Sequence, residues 1–541
     1  MTEMWERFAY YLLAGILFLY LKDDQMGGKG LRPDNAADIT GTFLALIWLP
    51  LFVGGMIADR YFGYIKSIFI GGSLLAAGYF GLMLPGNTAM YISLGLIICG
   101  NGFFKPNIST LLGNIYNKAE LKPLKDTAYN IFYMGINTGA LLCNFAAAYL
   151  RNKYHGWQWP FGAAGVGMVI GVILFGLNLK HIRQGDVRKP PQKEDMGLGS
   201  IAGYVFLPAI VAAVIGFYLP GAVFHGTLMG SPASDAFVFA CIPIIGFFIS
   251  IWMKANREDK RGIGALLYIF AVSVIFWALY YQIFTGYTLW TDKHTDRTIS
   301  SPIIEKGANW MGLMQTVNTT PREVDSVNAL LMPVLDDSGH VRKTLGPDPY
   351  FQNVPRDQWP PQGKELKVAN PELYTSIVPF FIVSLTPILV AFLAWLRKRR
   401  REPTTPGKFG IALFLSGISS LVMFFAVLSV SSIYHEKVSP IWLWGTYFVI
   451  CTAEIFLSPM GLSMVSKLAP PRLTSLLMGG WFLTMSLGSK IAGLMTSSWD
   501  KFPDKRVYFI VYFVAGILGS ALLFSRIKKL NTIVREKTGE A

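Results

Sequence analysis

Apolar runs close to twenty residues long recur along the whole chain, and they decide what it can fold into. About 20 predominantly apolar residues carry a helix across the hydrocarbon core of a bilayer. In that core every backbone N–H and C=O has to be satisfied within the protein, which leaves only helices and closed barrels as spanning structures. The runs here are continuous rather than alternating, so helices and not a barrel are expected. Spans are predicted near 3–22, 40–58, 67–84, 88–106, 129–150 and 159–179. The stretch "HIRQGDVRKPPQKEDMGLG" then breaks the pattern with charge, proline and glycine, as a solvent-side linker does. Two further runs lie near 201–219 and 235–253, and six more near 263–290, 373–396, 408–432, 441–462, 473–497 and 507–526. The expectation is an all-α membrane protein of about fourteen transmembrane helices in a six, two, six arrangement. Its parts are an N-terminal bundle (1–180), a linker with two extra helices (181–262), a C-terminal bundle (263–530) and a cytoplasmic tail (531–541).

With 15% charged residues there is no room for a large separate soluble core. A net charge of +15 still needs a reason. "DRYFGYIK", "NKAELKPLK", "KANREDKR", "RKRRREP" and "RIKKLNTIVREK" fall on one side if the spans alternate, and they are richer in base than "LPGN", "HGTLMGSPASD" or "YHEKVSP". The basic side is therefore predicted to be cytoplasmic, with both termini there, in the inner membrane of the cell. No basic run is interleaved with aromatics on a soluble domain, so a nucleic-acid partner is not expected. The long insert 291–372 falls on the opposite side, and its prolines and glycines predict an extracytoplasmic loop with short structured pieces. No cleavable signal peptide is visible. Only two residues precede Glu3, and the reading leaves a start further upstream open. Cys99, Cys143, Cys241 and Cys451 sit inside apolar runs and are read as packing residues, with neither disulfide nor metal implied. No Ser/His/Asp, Cys/His or metal-ligand cluster converges, so an enzyme is not expected. The sequence carries no signal for an oligomeric state.

Charges inside the spans are the informative residues. On insertion scales each costs roughly 2.5–3.5 kcal/mol in hydrocarbon, so those retained mark pathways and relays. Glu3, Glu6 and Arg7 are spaced to share one helix face. Lys105 lies in "GNGFFKPNIST" and Glu454 in "CTAEIFLSPMG". A lysine and several acids facing one cavity could exchange partners when a proton arrives. The plainer readings stand beside this one: a solvated helix start for Glu3 to Arg7, a snorkelling Lys105, and a structural anchor at Glu454 beside Pro459. Lys490 is read as snorkelling.

"GGMIADRYFGYIK" resembles the loop signature of the major facilitator superfamily, with Asp59, Arg60, Gly63 and Lys66 in place. "EMWERFAYY", "KPNIST", "FYMGINTGALL", "FWALYYQ" and "EIFLSPMGL" resemble, in order, the motifs of the first, fourth, fifth, seventh and tenth helices of the proton-dependent oligopeptide transporter family. The resemblance implies the major facilitator fold and alternating access. It also implies uptake of di- and tripeptides driven by protons as coupling ion, with no other cofactor. By position, Glu3, Glu6, Arg7 and Lys105 become the proton-coupling group. Tyr10, Tyr11, Asn137 and Gln282 line the substrate site, Glu454 receives the peptide amino terminus, and Ser458 and Trp481 stand close by. Asp59 and Arg60 form the gating loop.

The chain departs from that family at four positions. Ala14 stands where an arginine is usual, Tyr281 where an acid is usual, Val378 for an asparagine and Trp48 for a tyrosine. The first two groups pair in typical members, so losing both leaves no orphan charge. The departures keep two alternatives open, a proton-coupled transporter of another small solute and a transport-deficient peptide sensor of the same fold.

Overall fold

The computed structural model describes residues 1–116, 121, 124–187, 198–337, 341–361, 363–470 and 473–538. Seven helices come first: α1 (Thr2–Lys22), α2 (Pro33–Leu46), α3 (Leu51–Ile57), α4 (Tyr64–Gly81), α5 (Asn87–Ile115), α6 (Lys125–Tyr154) and α7 (Gln158–Leu177). The extra pair is α8 (Leu207–Phe224) and α9 (Pro232–Lys254). There follow α10 (Arg257–Tyr280), α11 (Gly286–His294) and, in the insert, α12 (Pro302–Trp310). The chain then continues through α13 (Ile377–Lys398), α14 (Thr405–Leu428), α15 (Ile441–Leu468), α16 (Thr474–Ser497), α17 (Lys505–Ser525) and α18 (Ile527–Thr538). Among the described residues, ten helical segments are long and apolar enough to cross a membrane. The first helix is not one of them, because it carries Glu3, Glu6 and Arg7. The second span is also not among them, because it is broken into α2 and α3.

That break has a local cause. Pro50 has no N–H and cannot continue α2, which leaves carbonyls there without a helical donor. An asparagine of α5 supplies what is missing at Ile47, where Asn101 Nδ2 donates to the carbonyl (2.9 Å); Asn107 Nδ2 adds a second donor (3.3 Å) to the Gly54 carbonyl, which already accepts the Ala58 N–H. The approach requires glycine, since a Cβ at Gly54 would lie 1.9 Å from the Gly102 carbonyl oxygen. Gly54→Leu is therefore expected to force the helices apart at a cost of at least about 1–3 kcal/mol. The readout is the thermal midpoint and monodisperse yield in detergent, and wild-type values for both would contradict this packing.

In the first set α1, whose residues from Ala9 to Leu21 are almost all buried, packs against α2, α6 and α7, and in the last set α10 packs against α14, α15, α16 and α17. On the side carrying the insert the two sets close against each other. There α2 meets α16 so tightly that a Cβ on Gly41 would lie 2.6 Å from the Gly493 Cα. Asn144 of α6 donates to Thr375 (2.7 Å) and Ser376 (3.1 Å), just before α13. Arg151 of α6 pairs with Glu372 at 3.1 Å. Lys22 at the end of α1 pairs with Asp292 of α11.

The insert consists of α12 and two antiparallel ladders, β1 (Met314–Val317) with β4 (Leu366–Ala369) and β2 (Arg322–Asp325) with β3 (Lys343–Gly346). Val317, Tyr350, Phe351 and Val368 form its small core. Asn152 of α6 holds it down by donating to the Gly312 and Met314 carbonyls (2.9 and 3.0 Å).

One expectation changes. Lys490 does not snorkel: it is 1% exposed and donates to Asp38 Oδ1 at 2.7 Å and Thr42 Oγ1 at 2.6 Å, because a carboxylate on the facing helix makes burial cheaper than exit. The segment that enters the tail forms α18, an amphipathic helix that buries Leu530, Ile533 and Val534 and pairs Glu536 with Arg261 at 3.0 Å. Residues 539–541, and 188–197 of the linker, lie outside the described residues. The four cysteines are free, three of them buried and Cys99 exposed.

Candidate functional site

The acids and bases of the first bundle come together. Glu3, Glu6 and Arg7 are 3%, 0% and 3% exposed, on the face of α1 turned away from lipid. Arg7 grips Glu6 with both arms of its guanidinium, Nε and Nη2 each 2.5 Å from a carboxylate oxygen. Its Nε also lies 3.8 Å from Glu3 Oε1. Lys105 of α5 donates to Glu3. Two acids and two bases thus cancel in a buried cluster, as burial of charge demands. Glu6 is saturated by its arginine. Glu3 is not, for its Oε2 is buried without a hydrogen-bond partner. These contacts argue against a solvated helix start, and Lys105 is turned to an acid, not to an interface.

Aromatic rings flank the cluster. The Arg7 guanidinium stands 4.6 Å over the Tyr10 ring and 5.8 Å over that of Tyr11, placements that stabilise a desolvated cation. Tyr10 meets Trp48 edge-on at 6.4 Å, and Trp48 stacks on Phe482 of α16 at 6.1 Å. Asn137 is 5% exposed and donates its amide to the Tyr133 carbonyl (2.9 Å), one turn back on α6.

Glu454 stands across the seam, in the middle of α15. Tyr280 and Ser458 stand beside its carboxyl group, and Tyr11 and Tyr133 of the first bundle are within range of its charge. Glu454 Oε2 is buried and unpartnered. Pro459 lies within the same helix. The site therefore presents a cationic-anionic cluster on one wall and a lone carboxylate with a free acceptor on the other.

Other predicted residues sit elsewhere. Gln282 is 1% exposed and turned into the second bundle: its Nε2 donates to Tyr512 (2.6 Å) and the Ala492 carbonyl (3.2 Å), and its Oε1 accepts from Tyr508 and Thr496 (3.1 Å each). Its expected place at the substrate is corrected, because the short 3₁₀ turn Tyr281–Phe284 after α10 rotates it inward and every amide atom already has a partner. Trp481 is 2% exposed among Phe270, Trp277 and Phe409, a ring shell behind the seam that reaches Tyr280 through Trp277. Asp59 accepts from the Tyr64 hydroxyl (2.5 Å) in a turn that ends at Gly63, whose φ of 76° suits glycine. Asp186, which follows α7, caps α4 by accepting from the Tyr64 N–H at 2.6 Å. The side chain of Arg60 lies outside the described residues.

The departures are accommodated by packing. Ala14 is 1% exposed, and Tyr281 lies 5.7 Å from Tyr280 and 5.9 Å from Trp277, ring to ring. Val378 is buried, its carbonyl accepting from Cys451 Sγ at 3.6 Å.

Sequence reading missed the polar closure on the insert side. Lys437, in the loop between α14 and α15, donates to the Lys293 carbonyl at 2.8 Å and stands 4.4 Å over the Tyr350 ring. Arg297 stands over the same ring at 5.2 Å. Burial, with Arg297 beside it, pushes Lys437 down from its ordinary 10.5 to about 7. The unfolded chain therefore holds a proton between pH 7 and 10.5 that the folded one has lost, and stability there rises with pH, by up to about 1.4 kcal/mol per unit. Corrected hydrogen exchange at the Asp296 and Val438 amides, which bind the Val438 and His294 carbonyls, is expected to slow from pH 6.5 to 9. The trend should vanish in Lys437→Met, and a flat profile in wild type would refute it.

Two helical bundles shut against each other on one side, with opposite charges collected along the membrane-buried part of their seam, define a membrane transporter. The comparisons agree. The sequence profile of the POT family matches residues 65–319 and 365–512, so the gap between them falls within the insert. The Bacillus subtilis (strain 168) uncharacterized transporter YclF is 30% identical over 530 residues, 96% of this chain and 91% of that protein. A di-/tripeptide transporter of Lactococcus lactis subsp. lactis (strain IL1403) is 27% identical over 96% of this chain and 93% of its own. A crystal structure of a peptide transporter in complex with alafosfalin superposes with a TM-score of 0.74 at 26% identity, covering 98% of this chain and 94% of that one. The chain belongs to the POT family of membrane transporters.

Proposed function

We propose that this chain imports di- and tripeptides, or peptide-like zwitterions, together with protons by alternating access. The observation that carries the reading is the pair of unlike walls at the seam: Glu3, Glu6, Arg7 and Lys105 in the first bundle, and Glu454 with a free acceptor in the second. A zwitterion carries an ammonium and a carboxylate at fixed separation, and a dry site with opposite charges at its two ends selects it. Tyr10, Tyr11, Asn137 and Ser458 complete the walls. Glu3 shares Lys105 with whatever anion arrives, and protonation of Glu3 frees that lysine for the substrate carboxylate. Protons are the coupling ion, and no other cofactor is assigned.

The basic ends of α9 and α13 lie away from the insert, which supports a cytoplasmic-membrane orientation with both termini and α18 inside and the insert outside. The conformation is then closed outside.

Uptake of labelled dialanine into liposomes containing the purified protein tests the function. Accumulation under an inward proton gradient, abolished by an ionophore, is the expected result. Binding without accumulation, or no peptide uptake at all, would overturn it.

A further inference from the structure

The extra helix pair grips the seam between the two bundles. Asp38 of α2 is 7% exposed and pairs with Lys490 of α16, so this one ion pair joins the first bundle to the second. Ser231 and Ser234, at the start of α9, both direct their hydroxyls onto the same carboxylate, Ser231 onto Oδ2 and Ser234 onto Oδ1. Ser234 is fully buried. The loop that brings the serines there is itself fixed by Asp235, whose carboxylate accepts from the Leu228 and Met229 amides at 2.9 and 2.7 Å. One turn further into the membrane, Phe237 and Cys241 of α9 form a small cluster with Ala45 of α2, flanked by Leu46 and Leu487. The contact is therefore both polar and apolar, and it straddles the line along which α2 and α16 meet. By contrast α8 buries only Ala209, Gly216 and Pro220, as expected of a helix set mostly in lipid.

We infer that the extra helix pair is a latch on the outward-closed state, with Ser231 and Ser234 holding Asp38 in the geometry that Lys490 needs. Opening the outer side requires α2 and α16 to part, which separates Gly41 from Gly493 and leaves Asp38 and Lys490 to find other partners. A carboxylate held by two hydroxyls cannot swing after its lysine, so the pair breaks as a unit. Hydrogen bonds to a charged group are stronger than neutral ones, and losing them shifts the balance between the states. Ser231 and Ser234 are positioning residues: they touch neither substrate nor the proton-coupling cluster. The inference rests on the alternating-access part of the proposed function and on no assignment of cargo or protons.

The test reads conformation directly. Spin labels on cysteines at Thr88, in the first turn of α5, and His435, before α15, report the outer separation of the bundles in liposomes. Cys99→Ala is included because Cys99 is the exposed native thiol. In S231A/S234A the long-distance, outward-open population is expected to rise about tenfold over wild type, with the thermal midpoint little changed. Asp38→Asn should shift it further in the same direction, and Ser525→Ala, an exposed serine on α17, should leave it unchanged. A distance distribution identical to wild type in both S231A/S234A and Asp38→Asn would overturn the latch, even if peptide uptake is intact. A lower thermal midpoint with an unchanged distribution would assign the serines a purely structural role and overturn it equally. Absence of dialanine uptake by wild type, with the expected population shift in the variant, would count against the cargo reading and leave the latch standing.

Discussion

Lys105→Ala protein is expected to reach the membrane folded and to lose concentrative dialanine uptake by at least about a hundredfold, while exchange of peptide across a membrane without a proton gradient falls much less. The reason is the arithmetic of the buried cluster. Two acids and two bases balance there, with Lys105 on Glu3 and Arg7 on Glu6. Removing the lysine leaves Glu3 as an uncompensated buried acid, and breaking such a pair costs about 3–5 kcal/mol unless the acid takes up a proton. It will take one up, so the variant sits permanently in the protonated arrangement and can no longer couple proton movement to substrate. Glu6→Gln is expected to fail similarly for the opposite reason, since Arg7 then lacks the bidentate partner that fixes it over Tyr10 and Tyr11. Proton-driven accumulation at the wild-type level in both variants would remove the coupling role from this cluster.

Glu454→Gln is expected to raise the KM for dialanine about 10- to 100-fold, the loss of one charge-assisted hydrogen bond of about 1.5–3 kcal/mol. Dialanine with a blocked amino terminus should compete equally weakly against wild type and variant, because it has no ammonium for the carboxylate to receive. The free Oε2 of Glu454 is the structural basis, an acceptor buried with no protein donor and opposite the cationic wall. Unchanged KM for the unblocked peptide would show that Glu454 is an anchor within α15 and that the amino terminus is held elsewhere.

The departures from the family pattern now have a physical account. Ala14 and Tyr281 are both deeply buried, and an arginine or an acid placed alone at either would be an orphan charge. Their joint absence is paid for by aromatic packing around Trp277, Tyr280 and Tyr281, and it concentrates charge chemistry on the cluster at Glu3 and on Glu454.

The membrane class, the succession of spans and the shared helix face of Glu3, Glu6 and Arg7 were legible in the chain itself, while Lys105 joined them only through the family resemblance. Hydropathy is a local property that needs no partner, and a charge inside an apolar run announces that something must compensate it. The spacing of Glu3, Glu6 and Arg7 on one helix face follows from 3.6 residues per turn. What compensates a given charge is a matter of what lies opposite, and that is set by packing over hundreds of residues. Lys490 reads as a snorkelling lysine until α2 brings Asp38 to it from 452 positions away. Gln282 reads as a cavity residue until a 3₁₀ turn rotates it into the second bundle. The serines at the start of α9 carry no signal in sequence, because a hydroxyl is informative only once its acceptor is known. The sequence by itself determined that the chain crosses a membrane many times and carries two acids and a base at the start of its first span; only the tertiary structure decided that they are buried and which acid meets which base, because a partner in space leaves no mark on its neighbour in sequence.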